Sequence, residues 1–363
     1  MMNTLRRNGA WIGFFVLAIA LTIATEGSFI SPRNLTNLMR QTTLNGVLAA
    51  GMTLIILTGG IDLSIGSLVA LAGIAVGFTQ VNLEWSALGL QGAIMSAGCA
   101  LAVGLSAGVV NGTLIARLRI APFVITLGMM VVARGLALIV SGGASLSPVS
   151  EALDPLANGF LSTVLTALLL AMIAGGFVRA AWVGGKKSWG DLVFPVLVTL
   201  GFGFAFLTYR GFPVLGLFLV AVIGVTGFLL VRTTFGRSVY AIGSNERAAY
   251  WAGVPVKATI FWVYALMGFL SGLAGLLLTA RLNGADPNAG QLFELDAIAA
   301  VVIGGTSLRG GQGSVIGSLA GALTIATLNN GMDLMGTPSF YQMVLKGVII
   351  IVAVTMDRSQ RTQ

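Results

Sequence analysis

Asp62, Glu294 and Asp296 stand in or beside continuous apolar blocks. A carboxylate at a helix centre in lipid costs about 2.5 to 3.5 kcal/mol on insertion scales. Each can line an aqueous path, break a helix, or orient backbone donors at a half-helix end. Asp62 directly precedes Leu-Ser-Ile-Gly, which includes Ser64, and can equally cap a helix that starts there. Asn45, Asn111, Asn329 and Asn330 place neutral amides in other apolar blocks, suited to bonds between helices or to the hydroxyls of an uncharged polyol. Asp62, Ser64, Asn111, Glu294, Asp296, Asn329 and Asn330 are therefore the candidates for a solute path. No buried run of arginines suggests an anionic solute.

Chemistry beyond binding has little to work with. Histidine is absent, which removes the commonest general base and the commonest nitrogen ligand. Cys99 is alone, so neither a disulfide nor a paired-thiol metal site is expected. No nucleophile, base and metal cluster of an enzyme is evident. The stretch AAWVGGKKS, from Ala180, approaches a phosphate loop, but Ala180 replaces the first glycine, Lys187 replaces the hydroxyl residue, and no strand precedes it. The expectation is a chain without catalysis, metal or cofactor of its own, whose energy comes from a partner or an ion gradient.

The elements that must hold these residues are membrane helices. Of 363 residues 56% are hydrophobic and 9% charged, against roughly 25% charged in a soluble domain. The apolarity recurs in blocks of about 15 to 24 residues, near the ~20 a helix needs to cross hydrocarbon. Barrel strands would alternate over about 10 residues, and these blocks do not. They fall near residues 11–25, 41–58, 64–80, 91–115, 122–140, 156–176, 191–208, 212–231, 258–279, 294–304, 313–333 and 340–356. The reading is an all-α polytopic bundle of about ten to twelve spans in one domain over 1–363, with the shortest blocks as half-helices. The first block follows Arg6 and Arg7 and is read as a retained helix rather than a secretory signal, because further spans follow.

The net charge of +8 is scattered among short loops, with no basic face for nucleic acid. With the amino terminus in the cytoplasm, Arg117 and Arg119, Arg179 with Lys186 and Lys187, Arg232 to Lys257, and Arg358 with Arg361 all fall inside, as the positive-inside bias requires. Arg33, Arg40 and Arg210 dissent. Glycines four apart, as in Gly73 and Gly77, Gly104 and Gly108, Gly268 and Gly272, and Gly317 and Gly321, predict close helix packing. Two segments echo one another, IILTGGIDLSIGSLVALAG from Ile55 and VVIGGTSLRGGQGSVIGSLAGAL from Val301. Both read as an apolar helix, a Gly-Gly break and a small-residue helix, which points to a path built from broken helices. Their relative orientation is left open.

The polar stretch 232–257 falls on the cytoplasmic side. Ser244 and Asn245 can cap a short helix starting at Glu246, with Ala248, Ala249, Tyr250 and Trp251 following and Gly253 and Pro255 ending it. Exposed small and aromatic residues on a short helix make a docking element.

GRSVYAIGSNERAAYWAGV, from Gly236, resembles the coupling loop of bacterial ATP-binding-cassette sugar permeases of the ribose and xylose type. LMRQTTLNGVLAAGMT, GGIDLSIGS, FELDAIAAVVIGGTSLRGGQGS and LNNGMDLMGTPSFYQMVLKG resemble further motifs of that family, in its order. The resemblance implies two permease copies, two cytoplasmic ATPases that carry the ATP and magnesium, and a periplasmic sugar-binding protein. It also implies an inner-membrane location. Gly236, Arg237, Tyr240, Gly243, Asn245, Glu246, Ala248, Ala249 and Gly253 are then the residues that couple to the ATPase. Residues 151–211 look like an additional hairpin-like insertion that ribose permeases of this type generally lack and xylose permeases resemble. A permease for another small solute, such as ribose, galactose or a branched-chain amino acid, whose permeases share the general architecture, is one alternative, and an ion-coupled carrier using Asp62, Glu294 and Asp296 is the other.

Overall fold

The computed structural model describes residues 9–183 and 190–359. Lys186, Lys187 and most of the phosphate-loop-like stretch lie outside them, as do Arg6, Arg7 and Arg361. The described residues form an all-α bundle with no strand beyond two isolated bridges. The long helices are α1 (Gly9–Ala24), α2 (Pro32–Leu57), α3 (Ile65–Gly77), α4 (Leu90–Leu118) and α5 (Pro122–Ser141). After the short α6 (Asp154–Asn158) come α7 (Thr163–Val183), α8 (Gly190–Thr208) and α9 (Val214–Arg232). The small helices α10 (Thr234–Ser244) and α11 (Glu246–Trp251) precede α12 (Val256–Leu282), α13 (Phe293–Ile303), α14 (Val315–Leu334) and α15 (Ser339–Ser359).

Among the described residues five helices are long and apolar enough to cross a membrane on length and composition alone: Ile65–Asn82, in which a π turn extends α3, and α4, α5, α9 and α12. Only 17% of the apolar window of α5 is buried, against 67% for α12 and 72% for α3 with its extension. Leucines and valines on α5 are therefore left for lipid, whereas α3 and α12 form the interior. α13 has 11 residues, about 16 Å at 1.5 Å per residue, or half of the ~30 Å hydrocarbon core. This is the half-helix that its short apolar block predicts.

Small residues set the packing. A Cβ at Gly108 of α4 would lie 2.5 Å from the Tyr264 carbonyl oxygen, and one at Gly272 of α12 would lie 2.6 Å from that of Ala100. Gly104 and Gly268 face each other so closely that neither position has room for a methyl group. The backbones of α4 and α12 thus touch along two turns, which larger residues would forbid. Gly317 and Gly321 of α14 seat against the backbone of α13 in the same way.

The two echoing segments adopt one geometry. α2 ends with Gly59 at φ +80°, where Gly59 N–H donates to Ile56 O (2.9 Å) and Gly60 N–H to Ile55 O (3.1 Å). α13 ends with Gly305 at φ +84°, where Gly305 N–H donates to Val302 O (2.9 Å) and Thr306 N–H to Val301 O (3.1 Å). Both are the paired bonds of a glycine-terminated helix end. Gly311 N–H, beyond the second break, donates to Leu57 O (2.9 Å) at the first. Both incoming helices stop at the same end of the bundle and both outgoing helices run back from it, so the repeats run in the same direction, with α3 starting deeper, where Gly66 lies against Gly290 and Glu294.

That end also carries Arg117, Arg119 and the 232–257 segment, because α4 meets the start of α12 where Gly112 lies against Phe261. Arg232, Arg237 and Arg247, which obey the positive-inside bias, share it. α2 begins well before its apolar block, because Ser31 accepts from Asn34 N–H and Pro32 presets the first turn. Its early turns are polar and lie at the opposite end.

Candidate functional site

The 232–257 segment folds as two helices where the sequence suggests one. Thr233 Oγ1 accepts from Gly236 N–H (3.3 Å) to start α10. Asn245 Oδ1 accepts from Ala248 N–H (3.0 Å) to start α11, and Glu246 lies in its first turn, where a negative charge suits the helix dipole. Ser244 takes no part in that cap, since its hydroxyl donates back to Tyr240 O (2.9 Å). Gly253 at φ +82° closes α11, and Val254 N–H donates to Ala249 O (3.0 Å).

Ala249 is buried with Ile242 and Val256, so α11 is anchored by one small apolar face. Its other face is open. Glu246, Arg247 and Ala248 are exposed, as are Tyr250 (62%) and Trp251 (84%). Arg237 and Gly253 are exposed as well, while Gly236 is buried against the end of α9.

α10 rests on both Gly-Gly breaks. Gly243 lies directly against Leu57 O and Gly311 N, one from each break. Tyr240 Oη donates to Gly313 O (2.9 Å). Burial pushes the Tyr240 phenol above its usual pKa, which keeps it a neutral donor. α10 thereby touches the junction of α2 with α3 and that of α13 with α14 together.

The path candidates fall into separate groups. Asp62, Ser64 and Asn111 come together at the first break, all buried. Asp62 Oδ1 accepts from Ser64 N–H (2.8 Å) and Ser64 Oγ–H (2.6 Å), and Asn111 Nδ2 donates to Ser64 Oγ (3.1 Å). Asp62 thus holds the turn just ahead of α3 without capping the helix itself, since both of its bonds go to Ser64, and the bond from Asn111 to Ser64 ties α4 to the break. Asn111 Oδ1 and Tyr264 Oη are buried here without a partner among the described residues. Glu294 joins this group from α13, its Oε2 2.5 Å from where a Cβ of Gly66 would lie. Arg134 of α5 donates to the Pro287 and Ala289 carbonyls in the loop that precedes α13.

Asp296 belongs elsewhere. It pairs with Lys346 of α15 (2.9 Å) and accepts from Asn329 Nδ2 (3.4 Å), joining α13, α14 and α15. Asn330 exchanges two bonds with Asn34 of α2 (2.8 and 3.0 Å), a clamp between helices. Lys346, Asn34 and Tyr264 are absent from the sequence-based candidates. Lys346 had a readable signal, a cation inside an apolar block. A cavity of about 260 Å³ walled by Trp11, Leu170, Phe202 and Phe206 has nothing for a polyol, because its two hydroxyls, on Thr42 and Thr199, donate to Leu38 O and Pro195 O.

Comparison with known proteins finds relatives over nearly the whole length of the chain. The xylose transport system permease protein of Haemophilus influenzae is 38% identical over 365 residues, covering 96% of this chain and 95% of its own. The corresponding protein of Escherichia coli K12 is 37% identical over 361 residues, covering 95% and 90%. The ribose import permease protein of Bacillus subtilis is 39% identical over 358 residues, covering 99% and 94%. No solved structure matches. Residues 34–354 match the family model described as branched-chain amino acid transport system / permease component. A bundle of membrane helices with two like-oriented breaks, matched to that model over residues 34–354 and to these relatives at 37–39% identity, makes this chain a member of that permease family.

Proposed function

We propose that this chain forms the solute path of an ATP-driven pentose importer in the inner membrane, and that a cytoplasmic partner binds and hydrolyses the ATP with magnesium. The observation that carries this reading is the seat of Gly243 against Leu57 O and Gly311 N. An ATPase that grips the exposed face of α11 moves α10, and α10 moves both breaks. The path candidates Asp62, Ser64, Asn111 and Glu294 border the first of them. No bond to substrate is made or broken by this chain.

Pentose is favoured by the relatives, which are named for xylose and ribose at nearly equal identity. The 151–211 insertion supports xylose as the first sugar to test. Delivery by a periplasmic sugar-binding protein and pairing with a second copy of this chain complete the assembly. The family description favours a branched-chain amino acid as the second reading, and uptake of radiolabelled xylose, ribose and leucine by the complete complex decides between them.

The coupling claim has its own test. A Glu246→Arg, Gly253→Asp double variant should insert normally and lose uptake, while ATP hydrolysis becomes independent of transport. Uptake at the unmutated level would refute docking through α11. Uptake by the chain alone in vesicles under a proton or sodium gradient would replace it with an ion-coupled carrier.

A further inference from the structure

The three arginines that defy the positive-inside bias share one place. Arg33, Arg40 and Arg210 all line a cavity of about 710 Å³ at the end of the bundle opposite α10, within the range of roughly 300 to 1,000 Å³ typical of small-molecule sites. No acidic residue lines it, and none of the three forms an ion pair among the described residues.

We propose that this cavity is an outer vestibule that binds the neutral sugar directly. The proposal deepens the importer reading and rests on it. The walls are built for the task by local structure. Leu161 N–H donates to Phe212 O (2.9 Å) and Val214 N–H to Gly159 O (3.0 Å), which clamps the two ends of the insertion together. Phe160 and Tyr209 are thereby set side by side, with ring centroids 6.2 Å apart. The Arg40 and Arg210 guanidiniums lie over Phe160 at 5.1 and 5.9 Å, and Arg210 also lies over Tyr209 at 5.7 Å.

Stacking on an aromatic ring fixes the guanidinium plane and leaves its N–H edge free to donate. Arg40 Nε is buried with no partner among the described residues, so a bound acceptor would satisfy it. Asn37 Oδ1 accepts from Arg281 (3.1 Å), which leaves the Asn37 amide N–H groups available. Asn158 Nδ2 donates to Asp154 (2.6 Å), which leaves the Asn158 oxygen as an acceptor. Donors from Arg40, Arg210 and Asn37, an acceptor from Asn158, and aromatic flanks suit a ring of vicinal hydroxyls. An amino-acid zwitterion would need a carboxylate for its ammonium; the lining has none, and the neighbouring Asp154 is engaged by Asn158.

Phe160, Tyr209, Arg210 and Asn158 come from the insertion and its edge, whereas Asn37 and Arg40 come from α2. Sugar preference at the outer mouth therefore follows the insertion.

The test is D-xylose binding, by saturation-transfer NMR, to the permease–ATPase complex in lipid nanodiscs without binding protein. Saturable binding is expected, weakened about tenfold or more in an Arg40→Gln, Arg210→Gln double variant through loss of charged donors. Arg210→Gln alone, at the insertion edge, serves if the double variant fails to fold. No saturable xylose binding, or equal binding by variant and unmutated complex, overturns the vestibule. Unchanged xylose binding with weakened capture of the binding protein also overturns it, because the arginines then hold a protein. Pentose uptake by the unmutated complex separates the two readings. Uptake without vestibule binding sinks this inference alone, and absence of pentose uptake sinks the importer reading with it.

Discussion

Replacing Gly243 by alanine tests whether α10 is a lever or a bystander. The new methyl would fall on Leu57 O and Gly311 N and lie 2.9 Å from the Leu57 carbonyl carbon. Carbon atoms prefer about 3.5 to 4.0 Å, so that atom alone demands a retreat of about 0.6 to 1.1 Å. All three atoms are backbone at helix breaks and cannot rotate aside. Overpacking of this kind costs about 1 to 3 kcal/mol. Where that cost falls on one of two states, their ratio changes about 5- to 150-fold. Proteoliposomes holding the complete complex should therefore hydrolyse ATP while sugar taken up per ATP falls about tenfold. Gly227→Ala in α9, where nothing lies within 4 Å, is the control and should be neutral or slightly stabilising. A Gly243→Ala complex with unmutated uptake per ATP would show that the breaks do not receive their motion through α10.

The buried Asp296–Lys346 pair should behave as a unit. Lys346→Met strands a buried carboxylate at about 3 to 5 kcal/mol, and adding Asp296→Asn should restore most of the thermal midpoint in nanodiscs; equal midpoints for the single and double variants would disprove the pairing. In α4, Gly108→Val would press on Tyr264 O and on the Gly268 Cα 2.9 Å away, so the yield surviving a heat step should drop, while Gly98→Ala on an open face of the same helix should leave it unchanged.

The spans were readable because an apolar block of the right length has few other fates in lipid. Their beginnings were less so. The apolar block at 41–58 starts nine residues after α2, because Arg33, Asn37 and Arg40 line the outer cavity rather than meet lipid. The repeat could be read from Gly-Gly pairs, but its direction could not, since that depends on a bond between Gly311 and Leu57 across most of the chain. The same distance problem hid the grouping of the path candidates. Asn330 meets Asn34, 296 positions away, and Asp296 meets Lys346, 50 positions away. The short helix α11 was legible from its cap and stop residues, whereas α10 was not, because it is polar on one face and its apolar face finds partners only from other spans.

The direction of the repeat bears on how one contact can serve two halves. Were the repeats inverted, their breaks would lie at opposite ends of the bundle, and a cytoplasmic lever could reach only one. Because they run alike, the last carbonyl of α2 and the loop that follows α13 lie at the same end, and a single residue can touch both. Gly243 meets this condition only by lacking a side chain. Residues around the first break have little slack, since Asp62, Ser64 and Asn111 are joined by short hydrogen bonds. On the proposed coupling, a shift of α10 would be carried into α3 and α4 rather than absorbed in a loose loop, and a cytoplasmic partner could thereby act on groups inside the bundle.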